Sequence, residues 1–310
     1  MSSLPSYILI TPARNEAKHI GLTLDSVVAQ TVRPIKWVII SDGSTDGTDE
    51  IVSAYATRHP WIELICMPAR RERHFSGKVH AFNIGYDRVK RLDYEVIASL
   101  DGDISFDADY FEFLLERLAA DPKLGLVGTP FHENGKPIYD FRFVNIEHVS
   151  GACQVFRRQC FVDIGGYKPM KGGGIDYLAV LTSRMTGWKT RTFTEMVCHH
   201  HREMGTAGQS ALKSRFKYGA KDYALGSHPL WQLFRMFYQM TKKPFVVGGL
   251  TVLAGYVWSA IQVRERRIPP EVIAFRRREE MERLRRFITR SQNTKSRIEL
   301  PAGSGVAAHD

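Results

Sequence analysis

Three short acidic segments carry the residues best suited to chemistry in this 310-residue chain. Asp101-Gly102-Asp103 sets two carboxylates about one glycine, a pair able to hold a hard divalent cation while the backbone turns tightly. Such a cation, Mg2+ or Mn2+, would bridge the phosphates of a nucleotide and neutralise charge on a departing diphosphate. Asp42-Gly43-Ser44-Thr45-Asp46-Gly47 is rich in turn formers, and Asp42 at its head suits hydrogen bonds from a base or ribose. The third segment, Pro12-Ala13-Arg14-Asn15-Glu16, adds Glu16. An Asp-Gly turn or a lone DxD is common and weak as a signal. The argument rests on all three segments following apolar runs.

Four further groups extend the set. Gly77-Lys78 opens a helical stretch, so Lys78 can meet a phosphate near a helix N-terminus, and Arg70, Arg71, Arg73 and His74 precede it with positive charge. Taken alone, Lys78 would be read first as a surface lysine, and solvated arginines explain the basic run equally well. Asp176 follows a glycine-rich loop, Lys171 to Gly174, and can act as the base that takes a proton from an acceptor hydroxyl. It also fits a helix N-cap. His199, His200 and His201 end the segment TRTFTEMVCHHH, read as one strand. On that strand His199 and His201 share a face, so one of them is expected to complete the metal shell begun by Asp103.

The elements that present these residues follow from hydropathy. Tyr7 to Thr11, Lys36 to Ser41, Trp61 to Met67 and Tyr94 to Leu100 read as buried strands, alternating with helices. Asn15 is expected to cap the first helix, with Ile20, Leu24, Val27 and Val28 on its inner face. Continuous apolar strands separated by helices predict an α/β fold with a mainly parallel sheet covered on both faces. Ligands in such sheets bind beyond the carboxyl ends of the strands, where the three acidic segments lie.

Composition sets the bounds. Apolar residues make up 44% of the chain, enough for a sizeable core. Lys and Arg number 43 against 33 acids, a net charge of +10 that favours an anionic partner. Cys66, Cys153, Cys160 and Cys198 show no CxxC spacing, which favours a reduced protein with buried thiols over a disulfide framework or a zinc site. The N-terminus lacks the charged and long apolar regions of a signal peptide.

Beyond residue 208 the character changes to aromatic, then apolar, then basic. Phe245 to Val263 is 19 residues without a charge, and an Arg-rich helical segment runs from about Pro270 to Arg290. A single crossing would export Arg264, Arg266, Arg267 and the arginines that follow, against the preference of positive residues for the cytoplasm. A re-entrant or interfacial element on acidic membrane lipid fits better, with a helix buried against the catalytic domain as the alternative. The expected organisation is a catalytic domain over 1–208, with halves 1–103 and 104–208, a helical membrane-associating region over 209–298 and a disordered tail over 299–310.

Taken in order, TPARNE, SDGSTDGT, GKVHAFNIG, SLDGD, GGYK with Asp176 behind it, and the terminal HHH resemble the family 2 glycosyltransferases with the GT-A fold. The likeness runs from about Tyr7 to Arg202. It implies a nucleotide-diphosphate sugar as donor, UDP-linked by default, a Mg2+ or Mn2+ ion, and single displacement with inversion at the anomeric carbon. By this resemblance Asp42 binds the nucleoside, Asp101 and Asp103 serve donor and metal, and Asp176 is the base. Pro12, Arg14, Glu16, Lys78 and Gly102 complete the expected donor site, and His199 and His201 the metal site.

Two features depart from the family pattern. An acidic pair is usual at the base position, where this chain has Ile175-Asp176. The QxxRW signature of processive synthases is absent, Arg215-Phe216 being the nearest counterpart, which argues against a cellulose- or hyaluronan-type polymerase. The HHHREMGTAG segment and the C-terminal region look most like bacterial enzymes that build exopolysaccharide or cell-envelope glycans, implying a glycan or polyprenyl-linked acceptor and a place at the cytoplasmic face of the cell membrane. Nucleotidyl transfer is the rival enzyme class, but it would normally show a glycine-rich basic loop after the first strand. An RNA-binding or scaffolding protein would explain the charge but not the acids and histidines together, so no nucleic acid is expected as partner.

Overall fold

The structure is a computed structural model that describes residues 4–68, 75–137, 145–170, 173–202, 211–262 and 268–298. Arg70, Arg71, Arg73, His74, Lys171, Gly172, Arg264, Arg266, Arg267 and the tail 299–310 lie outside the described residues. The chain divides into two compact units, Met1–Gln209 and Ser210–Asp310.

In the first unit the elements are β1 (Tyr7–Ala13), α1 (Ile20–Val28), β2 (Lys36–Ser41), α2 (Thr48–Arg58), β3 (Ile62–Cys66), α3 (Phe75–Val89), β4 (Val96–Leu100), β5 (Ile104–Ser105), α4 (Tyr110–Ala120), β6 (Leu124–Gly128), β7 (Phe131–Glu133), β8 (Lys136–Pro137), β9 (Cys153–Arg157), α5 (Arg158–Asp163), α6 (Ile175–Met185), β10 (Lys189–Thr192) and β11 (Cys198–His200). Seven strands form a sheet in the order β10-β6-β9-β4-β1-β2-β3. All run parallel except β9, which is antiparallel to both β4 and β6. A second, small sheet has the order β5-β11-β7-β8.

The sheet is apolar on both faces, as parallel strands between helices require. Tyr7, Leu9, Trp37, Ile39, Val96 and Ala98 pack on one side with Leu24, Val52 and Leu114. Ile8, Ile10, Val38, Ile40 and Ile97 pack on the other with Phe82, Phe161 and Val180. This two-sided burial holds the carboxyl ends of β1, β2 and β4 together at one edge.

Two expectations are corrected here. The segment read as a single strand ending in HHH is two strands in two sheets, β10 beside β6 and β11 between β5 and β7. Asn15 does not cap α1, whose N-cap is His19. Asn15 instead takes a left-handed φ of 54°, and its Oδ1 accepts from the Thr45 backbone N–H at 2.9 Å. Its short amide both tolerates that conformation and replaces a backbone partner.

All four cysteines are free, and Cys153, Cys160 and Cys198 are buried. Burial pushes the Cys160 and Cys198 thiols up to about 12, so they serve as small packing groups.

The second unit contains α7 (Ala211–Ala224), α8 (Pro229–Met240), α9 (Val247–Gln262) and α10 (Pro270–Ile298). α7 and α9 meet backbone to backbone. A Cβ at Gly219 would stand 1.8 Å from the Val252 carbonyl oxygen, and one at Gly255 would stand 2.0 Å from the Phe216 carbonyl oxygen. α10 is tied in by buried Arg276, which bonds Glu280 at 2.8 Å, the Leu225 carbonyl at 2.9 Å and Asp222 at 3.3 Å. Among the described residues no helix is long and apolar enough to cross a membrane.

Candidate active site

The loops after β1 and β2 are knitted together by short polar side chains. The Asn15 N–H donates to Ser44 Oγ at 3.1 Å, Ala17 N–H to Asp46 Oδ2 at 3.0 Å, and Glu16 N–H to Thr48 Oγ1 at 2.9 Å. Asp46 Oδ1 accepts from the Thr48 hydroxyl at 2.5 Å and from its N–H at 3.1 Å. Asp42 follows β2 and is 7% exposed, with its N–H on the Ala13 carbonyl at 2.8 Å and its Oδ2 3.7 Å from Arg14 Nη1. Pro12 lies within β1, paired to Ile40 of β2.

Asp101 leaves the end of β4 and pairs with Lys78, which sits in the first turn of α3. Asp101 also donates its N–H to the Ala152 carbonyl at 3.0 Å. One residue earlier, Gly151 lies against Asp176: a Cβ there would stand 2.9 Å from the Asp176 Cβ. The start of α6 and the end of β4 therefore meet across residues 151–152. Lys78 feels the charges of Asp101, Asp176 and Asp103. Asp176 lies within the first turn of α6, whose N-cap is Gly174 and not Asp176. Gln154, fully buried on β9, donates to the Asp176 carbonyl at 3.3 Å and accepts from the Tyr167 hydroxyl at 2.7 Å.

Asp103, 6% exposed, collects the cations of the C-terminal strand. His200 Nε2 stands 3.5 Å from Asp103 Oδ2, while His200 Nδ1 faces Glu133 Oε1 at 3.1 Å. Arg202 Nε lies 3.6 Å from the same Asp103 oxygen, and its Nη2 bonds Glu16. Gly102 sits under Glu16, where an added Cβ would meet Glu16 Cγ at 3.3 Å. Burial would raise the Asp103 carboxyl, but the His200 bond and charge, with Arg202, hold it below its ordinary value. Burial would lower His200, but the two carboxylates raise it above its ordinary value. Glu16 is pushed up to about 7 by burial and by the Asp103 charge, against the opposing pull of Arg202.

The histidine facing Asp103 is thus His200, whereas the sequence pointed to His199 and His201. With β11 starting at Cys198, the middle histidine of the three takes the inward face. His201 Nε2 bonds Ser105 Oγ at 2.7 Å, and the His199 ring lies edge-on to His132 at 6.2 Å. Sequence reasoning also passed over Glu133, Gln154 and Arg202. Gln154 had a readable signal, a lone amide inside the apolar strand CQVFR.

Among the described residues no group of three or more His, Cys, Asp or Glu side chains is gathered closely enough to hold a metal alone. Two protein donors suffice for a cation that takes its other ligands from a diphosphate and water. Asp103 and His200 offer one carboxylate oxygen and one imidazole nitrogen, and the Glu133 contact at Nδ1 turns Nε2 toward Asp103 as the atom that would serve as donor. The residues present fit such an ion.

The family model of glycosyl transferase family 2 matches residues 8–162, half of the chain. A poly-beta-1,6-N-acetyl-D-glucosamine synthase of Staphylococcus aureus (strain COL) is 28% identical over 171 residues, covering 49% of this chain and 39% of that relative. The chain thus matches well under half the length of this curated relative. A mannosyltransferase from Pyrobaculum calidifontis, solved with GDP-Man and Mn2+, aligns with a TM-score of 0.60 at 20% identity over 85% of this chain and 89% of that one. S. aureus TarS 1-349 in complex with UDP-GlcNAc aligns with a TM-score of 0.53 at 14% identity over 83% and 73%. The matched span holds Glu16, Asp42, Lys78 and the Asp101–Asp103 segment on the strand ends described above, and the chain belongs to glycosyl transferase family 2.

Proposed function

We propose that this glycosyltransferase moves a sugar from a nucleotide diphosphate to an acceptor hydroxyl by single displacement, with Asp176 as base. The observation that carries the reading is the junction at residues 151–152, which brings Asp176 to the end of β4 beside Lys78 and Asp101. Asp42, with Arg14 beside it, receives the nucleoside, and Glu16 and Pro12 shape the same floor. Lys78 and Arg202 offer positive charge to the diphosphate. A divalent cation, Mn2+ or Mg2+, held by Asp103 and His200 supplies further neutralisation of the leaving group when bound.

Asp176 takes the proton from the acceptor hydroxyl as its oxygen bonds to the anomeric carbon. The bond from that carbon to the diphosphate oxygen breaks on the opposite side, the nucleoside diphosphate departs with the electron pair, and the configuration inverts. We assign a UDP-linked sugar as donor, with UDP-GlcNAc the first to test, since the staphylococcal relatives point to that class. The assigned acceptor is a growing glycan or a polyprenyl-linked sugar in bacterial envelope synthesis, met at the cytoplasmic face of the cell membrane.

A panel of UDP-, GDP- and dTDP-sugars, assayed for released nucleoside diphosphate with Asp103→Asn as blank, tests the reading. Release from at least one donor that the blank lacks is the expected result. Equal release from both proteins, or release of pyrophosphate in place of nucleoside diphosphate, would overturn it.

A further inference from the structure

α9 is built inside out. The residues it turns inward are Gly248, Gly249, Val252, Gly255, Tyr256 and Ser259, mostly small or polar. At helical spacing on the opposite side stand Val247, Leu250, Val257, Trp258 and Ile261, from 46% to 70% exposed. α8 repeats the pattern in part, with Gln232 buried beside Met236 and Leu230, Leu233 and Phe237 turned outward. Among the described residues neither polar side-chain atom of Gln232 has a hydrogen-bond partner. Water favours the reverse arrangement, because it rewards turning large apolar groups inward. The α7–α9 crossing at Gly219 and Gly255 is the contact helices use in lipid, where apolar side chains gain nothing by turning in and close backbone packing holds the pair.

Charge decides what covers this face. Residues 211–262 hold seven Lys or Arg against one Asp. Lys242 and Lys243 stand in the turn between α8 and α9, next to the exposed Phe245 and Val246. A second copy would bring two basic rims together, whereas acidic headgroups meet them with opposite charge. Length decides the depth. Among the described residues α9 has 16; at 1.5 Å each they extend about 24 Å, short of the roughly 30 Å hydrocarbon core.

We propose that the outward faces of α8 and α9 dock into one leaflet of an anionic bilayer without crossing it. Phe237, Leu250, Trp258 and Ile261 enter the acyl boundary, and Lys242 and Lys243 lie at lipid phosphates. This rests on the membrane location proposed above and not on the transfer chemistry.

The test uses the full chain and vesicles of phosphatidylcholine, with and without phosphatidylglycerol, in co-sedimentation at low and high salt. Wild type is expected on the anionic vesicles, with a blue shift in tryptophan emission that Trp258→Phe diminishes. The double variant Leu250→Glu, Ile261→Glu is expected to lose at least about tenfold in vesicle affinity. Lys242→Glu with Lys243→Glu is expected to lose roughly tenfold or more on anionic vesicles only, and chiefly at low salt. Far-UV circular dichroism checks folding, and serines at 250 and 261 replace the glutamates if these prevent it. Nucleotide release in solution stays at the wild-type level in these variants, so failure of docking is read apart from failure of the transfer reading. Docking is overturned if wild type binds neither vesicle, or if the folded 250/261 variant binds as wild type does. Self-association without lipid that shields Trp258, with vesicle binding absent, would also overturn it and give the face to a second copy.

Discussion

Gly151 leaves the room that Asp176 occupies: any Cβ at position 151 would stand 2.9 Å from the Asp176 Cβ and 3.2 Å from its Oδ2. Gly151→Ala should therefore displace the carboxylate without touching the nucleoside loops. Its kcat is expected to fall at least about tenfold while donor affinity, measured by calorimetry, holds. Asp176→Asn should lose about 10²-fold or more in kcat, the loss typical of a missing general base. Loss of donor binding in either variant would remove Asp176 from the acceptor side.

His200 lies between two carboxylates, and only one of them faces the diphosphate site we assign. Chelation with EDTA should abolish transfer, and Mn2+ or Mg2+ should restore it. Glu133→Gln should weaken Mn2+ binding about 10- to 100-fold, as loss of an orienting partner behind a ligating histidine does. His200→Gln should weaken it further, and His199→Gln should leave it near wild type because that ring lies against His132. Electron paramagnetic titration of Mn2+ in the presence of UDP reads all three without turnover.

Glu16 gives the metal-free protein a pH dependence of known sign. Its folded value near 7 exceeds its ordinary 4.5, so between these values the native state keeps a proton that the unfolded chain has released. The native state binds more protons there, and stability falls as pH rises through the window. Urea denaturation in EDTA should show that decline from about pH 5 to pH 7.5. Glu16→Gln should flatten it; an unchanged slope would mean that other groups set it.

The glycine crossing of the second unit predicts an asymmetry between its inner and outer residues. Gly219→Ala or Gly255→Ala forces a methyl into a facing backbone carbonyl and should cost about 1–3 kcal/mol. Leu250→Ala, on the outer face, should stay within about 0.5 kcal/mol in lipid-free solution. Chemical denaturation followed by circular dichroism distinguishes them.

Much of the first unit was legible because β4 and nearly all of β1 and β2 are buried. VIIS and VIASL read as continuous apolar runs, and each ends at an Asp-Gly turn, which by itself puts the carboxylates of Asp42 and Asp101 on one edge. What escaped depended on parity or on partners distant in sequence. Which of three consecutive histidines faces inward depends on where the strand begins, and Thr194 to Val197 break TRTFTEMVCHHH without a glycine or proline to mark it. The reversed direction of β9 has no local signature, since CQVFR pairs equally well either way. Glu133 gains its meaning from His200, and Arg202 from Asp103 and Glu16, all tens of residues or more away. The uncharged run in the second unit was visible, but its inward glycines and outward bulk were not, because composition does not say which side of a helix is packed.

The cross-bonds among Asn15, Ser44, Thr45, Asp46 and Thr48 have a thermodynamic consequence for whatever nucleotide binds here. All of them join the protein's own groups, so the entropy of fixing both loops falls to folding more than to binding. Donor association then proceeds on a pre-organised floor, with little loop ordering in its entropy change. Substitutions that fray this network will surface twice, as weaker donor affinity and as a lower melting temperature. Substitutions at Asp42 itself will separate the two, moving affinity far more than stability.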